Sequence, residues 1–351
     1  MLPDWVTQKC PGVSAVHREA ALARQAQLTK PAGALGRLEQ VAVDLAGLQA
    51  TERPRAERVP IVIFAGDHGI VAQGVSAYPQ EVTIAMLANF AAGGAAISVL
   101  ARELGSSLEV VDAGTLAQSP LPDIVTDKPR CGSRDFSVEA ALAPDELAFA
   151  FECGKRAVLR AEAGAPDLFI FGEMGIGNTT TSAAIASALL GVSAEEIAGH
   201  GTGVDAAGRA RKARLIEAAL ARHDLAGASA EKILCTVGGL EIAAITGAII
   251  TAAQRRIPVL VDGFIVSVAA LAAVRLNPSC QSYLLPSHQS AEQGHRLVLR
   301  ALNAQPLVSL DLRLGEGSGA AIALPLVRLA CALHNGMATF AQANVPDRPA
   351  V

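Results

Sequence analysis

Glu316 stands between glycines in Arg313-Leu314-Gly315-Glu316-Gly317-Ser318-Gly319. Glycines leave room around a carboxylate and let backbone approach a ligand closely. In a partly apolar turn such a carboxylate has a raised pKa, which suits a proton acceptor near neutrality. Taken alone, the pattern reads first as a surface loop with an incidental Glu. The run Gly172-Glu173-Met174-Gly175-Ile176-Gly177-Asn178-Thr179-Thr180-Thr181 is more informative. It follows an apolar strand and opens a helix, where unpartnered backbone N–H groups carry partial positive charge and suit a phosphate. A glycine-rich packing turn capped by Asn178 or Thr179 is the alternative. There is no GxxxxGK[ST], which excludes a P-loop. There is also no GxGxxG with an acidic residue about 20 positions on, so a dinucleotide site is weakly supported.

A second glycine cluster, Gly199-His200-Gly201-Thr202-Gly203, precedes a helix carrying Arg209, Arg211, Lys212 and Arg214. One of these cations could meet a phosphate held at the neighbouring turn, and the rest would form a solvated basic face. His68, in Gly66-Asp67-His68-Gly69, and the pair His288 and His295 lack HExxH or CxxC spacing. They read as structural hydrogen-bonding groups, and neither a metal nor a cofactor is expected. Tyr78-Pro79, Met86 and Leu314 could line an apolar pocket for a flat ring, or be ordinary core.

These turns need elements to hold them. Apolar runs end at polar or glycine-rich turns at Val59–Ala65, Leu108–Val111, Leu168–Phe171, Lys232–Val237 and Pro258–Val261. Ser282–Leu285 and Val308–Leu312 are weaker strand candidates. Helix-length stretches at Thr181–Leu190, Ala207–Arg222, Glu241–Arg255 and Ala291–Leu302 lie between most of them. The repeated strand–turn–helix pattern specifies an α/β fold, doubly wound, with a mostly parallel sheet flanked by helices. Ligands then bind beyond the carboxyl ends of the strands, where the polar turns sit. Ser14–Leu28, Leu35–Leu48 and Gly319–Ala343 read as helices without strands. They point to a small helical lobe of residues 1–54 with 317–351, beside a core of residues 55–316.

Composition removes several function classes. With 29 Lys+Arg against 33 Asp+Glu, a net charge of −4 and no basic block, a nucleic-acid partner is not expected. The longest uncharged run, residues 174–194, carries seven Asn, Thr and Ser residues and reads as a loop feeding a buried helix, not as a membrane span. Asp4 and Lys9, with no apolar stretch between them, argue against a signal peptide. Six scattered cysteines without a CxxC pair fit reduced thiols in a cytoplasmic protein.

Taken together, the segments resemble one known family. KPAGALGRLE from Lys30, DHG from Asp67, GVSAYPQEVT from Gly74 and GEMGIGNTTTSAA from Gly172 are followed by VGGLEIAAITGA, PVLVDGF, SHQSAEQGH and RLGEGSGAAIALP, all in that family's order. The chain is identified as resembling the nicotinate-nucleotide–dimethylbenzimidazole phosphoribosyltransferases, which act in assembly of the cobalamin lower ligand. The resemblance implies transfer of the phosphoribosyl group of nicotinate mononucleotide to 5,6-dimethylbenzimidazole. The products are α-ribazole 5′-phosphate and nicotinate, with inversion at C1′. By similarity Glu316 is the general base and Glu173 a contact to the ribose or reacting centre. Gly175, Asn178, Thr179, Gly201, Lys212 and Ser290 resemble phosphoribosyl contacts. Tyr78, Pro79, Met86, Met174 and Leu314 fall where the aromatic base would lie. A cytoplasmic homodimer without metal or cofactor is also implied.

Two other classes are distinguishable. A transferase using a pyrophosphorylated sugar usually needs Mg²⁺ and an acidic pair at the end of a strand. The nearest pair here, Glu195-Glu196, lies inside a helix-like stretch. A non-catalytic nucleotide-binding module would leave Glu316 dispensable.

Overall fold

Ile61, Ile63 and Ala65 point to one face of the first strand and Val62 and Phe64 to the other, and all five are buried. A strand buried on both faces is the mark of a sheet covered by helices on each side. A computed structural model describes residues 1–199 and 205–346. The chain begins with α1 (Ala15–Gln27), α2 (Arg37–Gln49), β1 (Ile61–Gly66), α3 (Glu81–Ala92) and α4 (Ala96–Leu104). It continues through β2 (Leu108–Gly114), β3 (Val125–Thr126), α5 (Pro144–Glu162), β4 (Phe169–Met174) and α6 (Asn178–Leu190). Next come α7 (Ala194–Ile197), α8 (Ala206–Arg222), α9 (Ala230–Val237), α10 (Leu240–Gln254), β5 (Val259–Val261) and α11 (Phe264–Leu276). The last elements are β6 (Leu284–Pro286), β7 (His288–Gln289), α12 (His295–Ala301), β8 (Val308–Ser309), α13 (Ser318–Gly336) and α14 (Phe340–Ala343).

The main sheet runs β3-β2-β1-β4-β5-β6, and every neighbouring pair is parallel. From β1 the chain winds outward through β2 to β3. It then returns to β4 beside β1 and winds the other way. The reversal falls between β1 and β4, where Ile63 pairs with Gly172 and Ala65 with Met174. Loops leaving two adjacent strand ends in opposite directions open a crevice there. β7 and β8 form a separate parallel ribbon.

Val62, Phe64 and Phe171 share one hydrophobic cluster with α5, α10 and α11, while Ile61, Ile63 and Ile170 share the other with α2, α3, α4 and α13. The small residues set the spacing of the first layer. A Cβ added at Gly154 of α5 would sit 1.9 Å from the Ala244 carbonyl oxygen of α10, so the two backbones touch. The helices of the two chain ends meet, α1 on α2 and α2 on α13, and α2 and α13 also cover the sheet. Residues 81–104 and α13 have the length and hydropathy of membrane-crossing helices. The first stretch is broken at Gly93, whose φ is 81°, and α13 packs on α2 and α4. All six cysteines are free.

One expected strand is a helix. Lys232–Val237 forms most of α9, which begins where the Ser229 side chain accepts the Lys232 N–H (3.2 Å). A six-residue apolar run does not distinguish the two by periodicity; the serine cap settles it. Ala291–Leu302 contracts to α12. The Gly319–Ala343 stretch divides into α13, which carries Pro325 inside it, and α14.

Candidate active site

A cavity of about 560 Å³ opens beyond the carboxyl ends of β4 and β5. Its wall brings together residues more than two hundred positions apart: Tyr78 and Met86, Glu173 to Gly175, Asn178 and Thr179, Ser290, Leu314 and Glu316. Pro79 is exposed, one residue beyond Tyr78, and is not part of the wall. Gly201 lies outside the described residues. A second cavity of about 530 Å³, between α1, α2 and β6, contains none of these side chains.

One end of the cavity is formed by the start of α6. The turn after β4 passes through Gly177, with φ of 98°, and starts α6 at Asn178. A Cβ at Gly175 would lie 2.1 Å from the Gly66 carbonyl oxygen, so only glycine lets the β1 and β4 turns meet. The start of α6 thus lies at the cavity, with Asn178 and Thr179 in its wall. Lys212, 3% exposed on α8, reaches the Thr179 hydroxyl at 3.3 Å. Burial lowers its pKa, opposed by the charge of Glu292. An anion there would relieve the cost of burying that ammonium. Two neighbouring cations are engaged elsewhere: Arg209 on Gln293 and Arg211 on the Gly74 carbonyl.

The other end presents Glu316. Gly315, Glu316 and Gly317 have φ of 88°, 62° and 79°, three left-handed residues in succession, and a non-glycine residue there is strained. The loop rests on β4: a Cβ at Gly172 would be 2.5 Å from the Glu316 carbonyl carbon. Glu316 is 6% exposed, and its Oε2 is buried without a hydrogen-bond partner among the described residues. Burial raises its pKa; the Ile97 N–H at the start of α4 works against this, and the Asp262 charge adds to it. A carboxylate with one free oxygen and a raised pKa is equipped to accept a proton.

Glu173, at the end of β4, lies between these ends. Burial, together with the charges of Asp262, Glu241 and Glu316, pushes its pKa up to about 8, against a hydrogen bond donated by the Asn178 side-chain amide to Oε2. It is therefore mostly protonated at neutral pH. Gly315 packs directly on its Oε1.

Beneath the wall, the two ring nitrogens of His68 are held by Glu241 Oε1 (2.8 Å) and Thr181 Oγ1 (2.9 Å), tying β1 to α10 and α6. His295 Nδ1 accepts the Ser290 N–H at 2.9 Å, and Nε2 lies 3.0 Å from Ser267 Oγ. Burial, aided by His288 and opposed by Asp262, pushes its pKa down to about 3, so the ring is neutral. Among the described residues, no group of three His, Cys, Asp or Glu side chains is arranged to hold a metal ion.

Sequence reasoning did not assign Asp262, His288 and Arg313 to the wall. Asp262 accepts the Ala320 N–H at 2.9 Å and lies 3.5 Å from His288 Nε2, pinning the start of α13 just after Glu316. Its signal was present in Val259-Leu260-Val261-Asp262-Gly263, an acidic residue at a strand's carboxyl end.

Residues 10–345 match the sequence profile of a phosphoribosyltransferase family. A Bradyrhizobium diazoefficiens protein named nicotinate-nucleotide–dimethylbenzimidazole phosphoribosyltransferase is 83% identical over 350 residues, covering 100% of both chains. A Pseudomonas aeruginosa protein of the same name is 56% identical over 348 residues, covering 99% of each. The crystal structure of the enzyme so named from Thermus thermophilus superposes with a TM-score of 0.90 at 41% identity, covering 95% of this chain and 100% of that one. The chain belongs to the nicotinate-nucleotide–dimethylbenzimidazole phosphoribosyltransferase family and is a phosphoribosyltransferase.

Proposed function

We propose that this enzyme transfers the phosphoribosyl group of nicotinate mononucleotide to 5,6-dimethylbenzimidazole, giving α-ribazole 5′-phosphate and nicotinate for the cobalamin nucleotide loop. The 5′-phosphate occupies the α6 N-terminus beside Thr179 and Lys212. Glu173 and Asn178 face the ribose, and the flat base lies among Tyr78, Met86, Met174 and Leu314. Glu316 removes the imidazole N–H proton while the other ring nitrogen attacks C1′. The C1′–pyridinium bond breaks on the opposite face, and its electron pair returns to the ring nitrogen. Departure neutralises the pyridinium, so the leaving group needs neither an acid nor a metal. A positioned base contributes about 10²–10⁴-fold, and alignment of the two substrates much of the rest.

The observation that carries this reading is a buried Glu316 carboxylate oxygen, unpartnered among the described residues, in a cavity wall whose Thr179 is backed by the buried Lys212 ammonium. We further propose a cytoplasmic homodimer, with residues 55–316 as the transferase core and 1–54 with 317–351 as its helical lobe. The test mixes purified protein, nicotinate mononucleotide and dimethylbenzimidazole in EDTA and follows nicotinate release. Turnover is expected; none, or a strict Mg²⁺ requirement, overturns the reading.

A further inference from the structure

Four carboxyl groups line the cavity, the mostly protonated Glu173 together with Asp262, Glu292 and Glu316, and Arg313 is the sole cation among the described residues that line it. Lys212 stands behind Thr179 at the other end. Nicotinate mononucleotide carries two anionic groups, the phosphate and the ring carboxylate. An anion entering so acidic a cavity is repelled unless a cation or a set of donors faces it. With Lys212 on the phosphate, the ring carboxylate still lacks one.

Arg313 has the right freedom and the right anchorage. It is exposed, and among the described residues its guanidinium has neither an ion pair nor a hydrogen bond. Its backbone is held on both sides. The Leu312 carbonyl accepts the Ser290 hydroxyl (3.0 Å) and the Ala291 N–H (2.9 Å). Three residues on, Gly315–Gly317 is fixed in left-handed geometry against β4. An unengaged cation on so constrained a loop at the cavity wall is a binding group awaiting a charged ligand. A guanidinium fork also matches a planar carboxylate with two parallel hydrogen bonds.

Building on the reaction proposed above, we propose that Arg313 binds the ring carboxylate of the nicotinate moiety and thereby selects nicotinate over nicotinamide nucleotides. Arg313 and Glu316 then place leaving-group recognition and base activation on one loop. The guanidinium holds the departing ring until its bond to C1′ has broken.

The test compares kcat/KM for nicotinate and nicotinamide mononucleotides in the unmodified enzyme, Arg313→Met and Arg313→Lys, with inhibition by free nicotinate measured for each. Arg313→Met is expected to lose roughly 10- to 100-fold with nicotinate mononucleotide, to be unchanged with the nicotinamide analogue and to weaken nicotinate inhibition. Arg313→Lys is expected to recover part of the loss. Equal losses on both nucleotides, or an unchanged ratio, overturn the assignment while the reaction stands. Absence of turnover in the unmodified enzyme overturns the reaction and this assignment with it.

Discussion

The backbone of Glu316 lies so close to Gly172 that a methyl group added at residue 172 would sit 2.5 Å from the Glu316 carbonyl carbon and 2.6 Å from its oxygen. The strand therefore seats the Glu316 loop by lacking a side chain. Gly172→Ala has to push the loop off β4 or deform the strand, at an overpacking cost of about 1–3 kcal/mol. We expect turnover to drop by about tenfold or more, since small misplacements of a reacting group are costly, with a Tm lower by a few degrees. Steady-state rates and a thermal melt decide it; a Gly172→Ala enzyme with native kcat would mean the loop's seat is not important for chemistry.

Glu316→Gln keeps the shape and removes the proton acceptor. Turnover is expected to fall about 10²–10⁴-fold, the usual scale for a lost general base. The native rate should also fall as acid protonates Glu316, and it should do so above the ordinary Glu range because burial raises this pKa. That acid limb should be missing from whatever rate the Gln variant retains. A variant with the native pH profile would remove Glu316 from the base role.

Glu173 gives a prediction about stability. Its pKa is about 8 in the fold against 4.5 for the free side chain, so between those values the folded state holds a proton that the unfolded chain has released. Stability attached to that proton is present in acid and declines as pH rises from about 4.5 through about 8. Glu173→Gln cannot ionise. Its Tm should therefore gain on the native enzyme steadily from pH 5 to pH 8; a difference that stays flat across that range would contradict the raised pKa.

Lys212→Ala removes the ammonium beside Thr179 and leaves Glu316 untouched. Loss of a charge-assisted contact should raise KM for the nucleotide roughly tenfold or more, with a smaller change in kcat. An unchanged KM across a phosphate-free titration would move the phosphate elsewhere.

Much of this architecture is legible in the chain. Runs such as Ile61–Gly66 and Phe169–Met174 end at turns whose glycines and acids mark the crevice. Lys232–Val237 misleads because a short buried helix and a short buried strand share one composition. The seating of Glu316 on Gly172 is not legible either. It joins residues 144 positions apart through backbone contact, and backbone contact leaves no residue-type signal beyond a glycine whose partner is unnamed. Arg313 escaped for a related reason: a single cation in a loop acquires meaning only when its neighbours across the cavity prove to be acidic.

The pairing of β1 with β4 has a consequence for how the enzyme comes into being. Those strands are joined by more than a hundred residues, and the Glu316 carboxylate of the cavity wall is supplied only much later in the chain. Loop closure over such separations is slow, and local helices form well before it. On the ribosome, the turn proposed to hold the phosphate is thus synthesised well before the proposed proton acceptor. A prematurely terminated chain lacking its last forty residues lacks the base loop as well as the helix that anchors it, so it should be catalytically silent however well its first strands have paired.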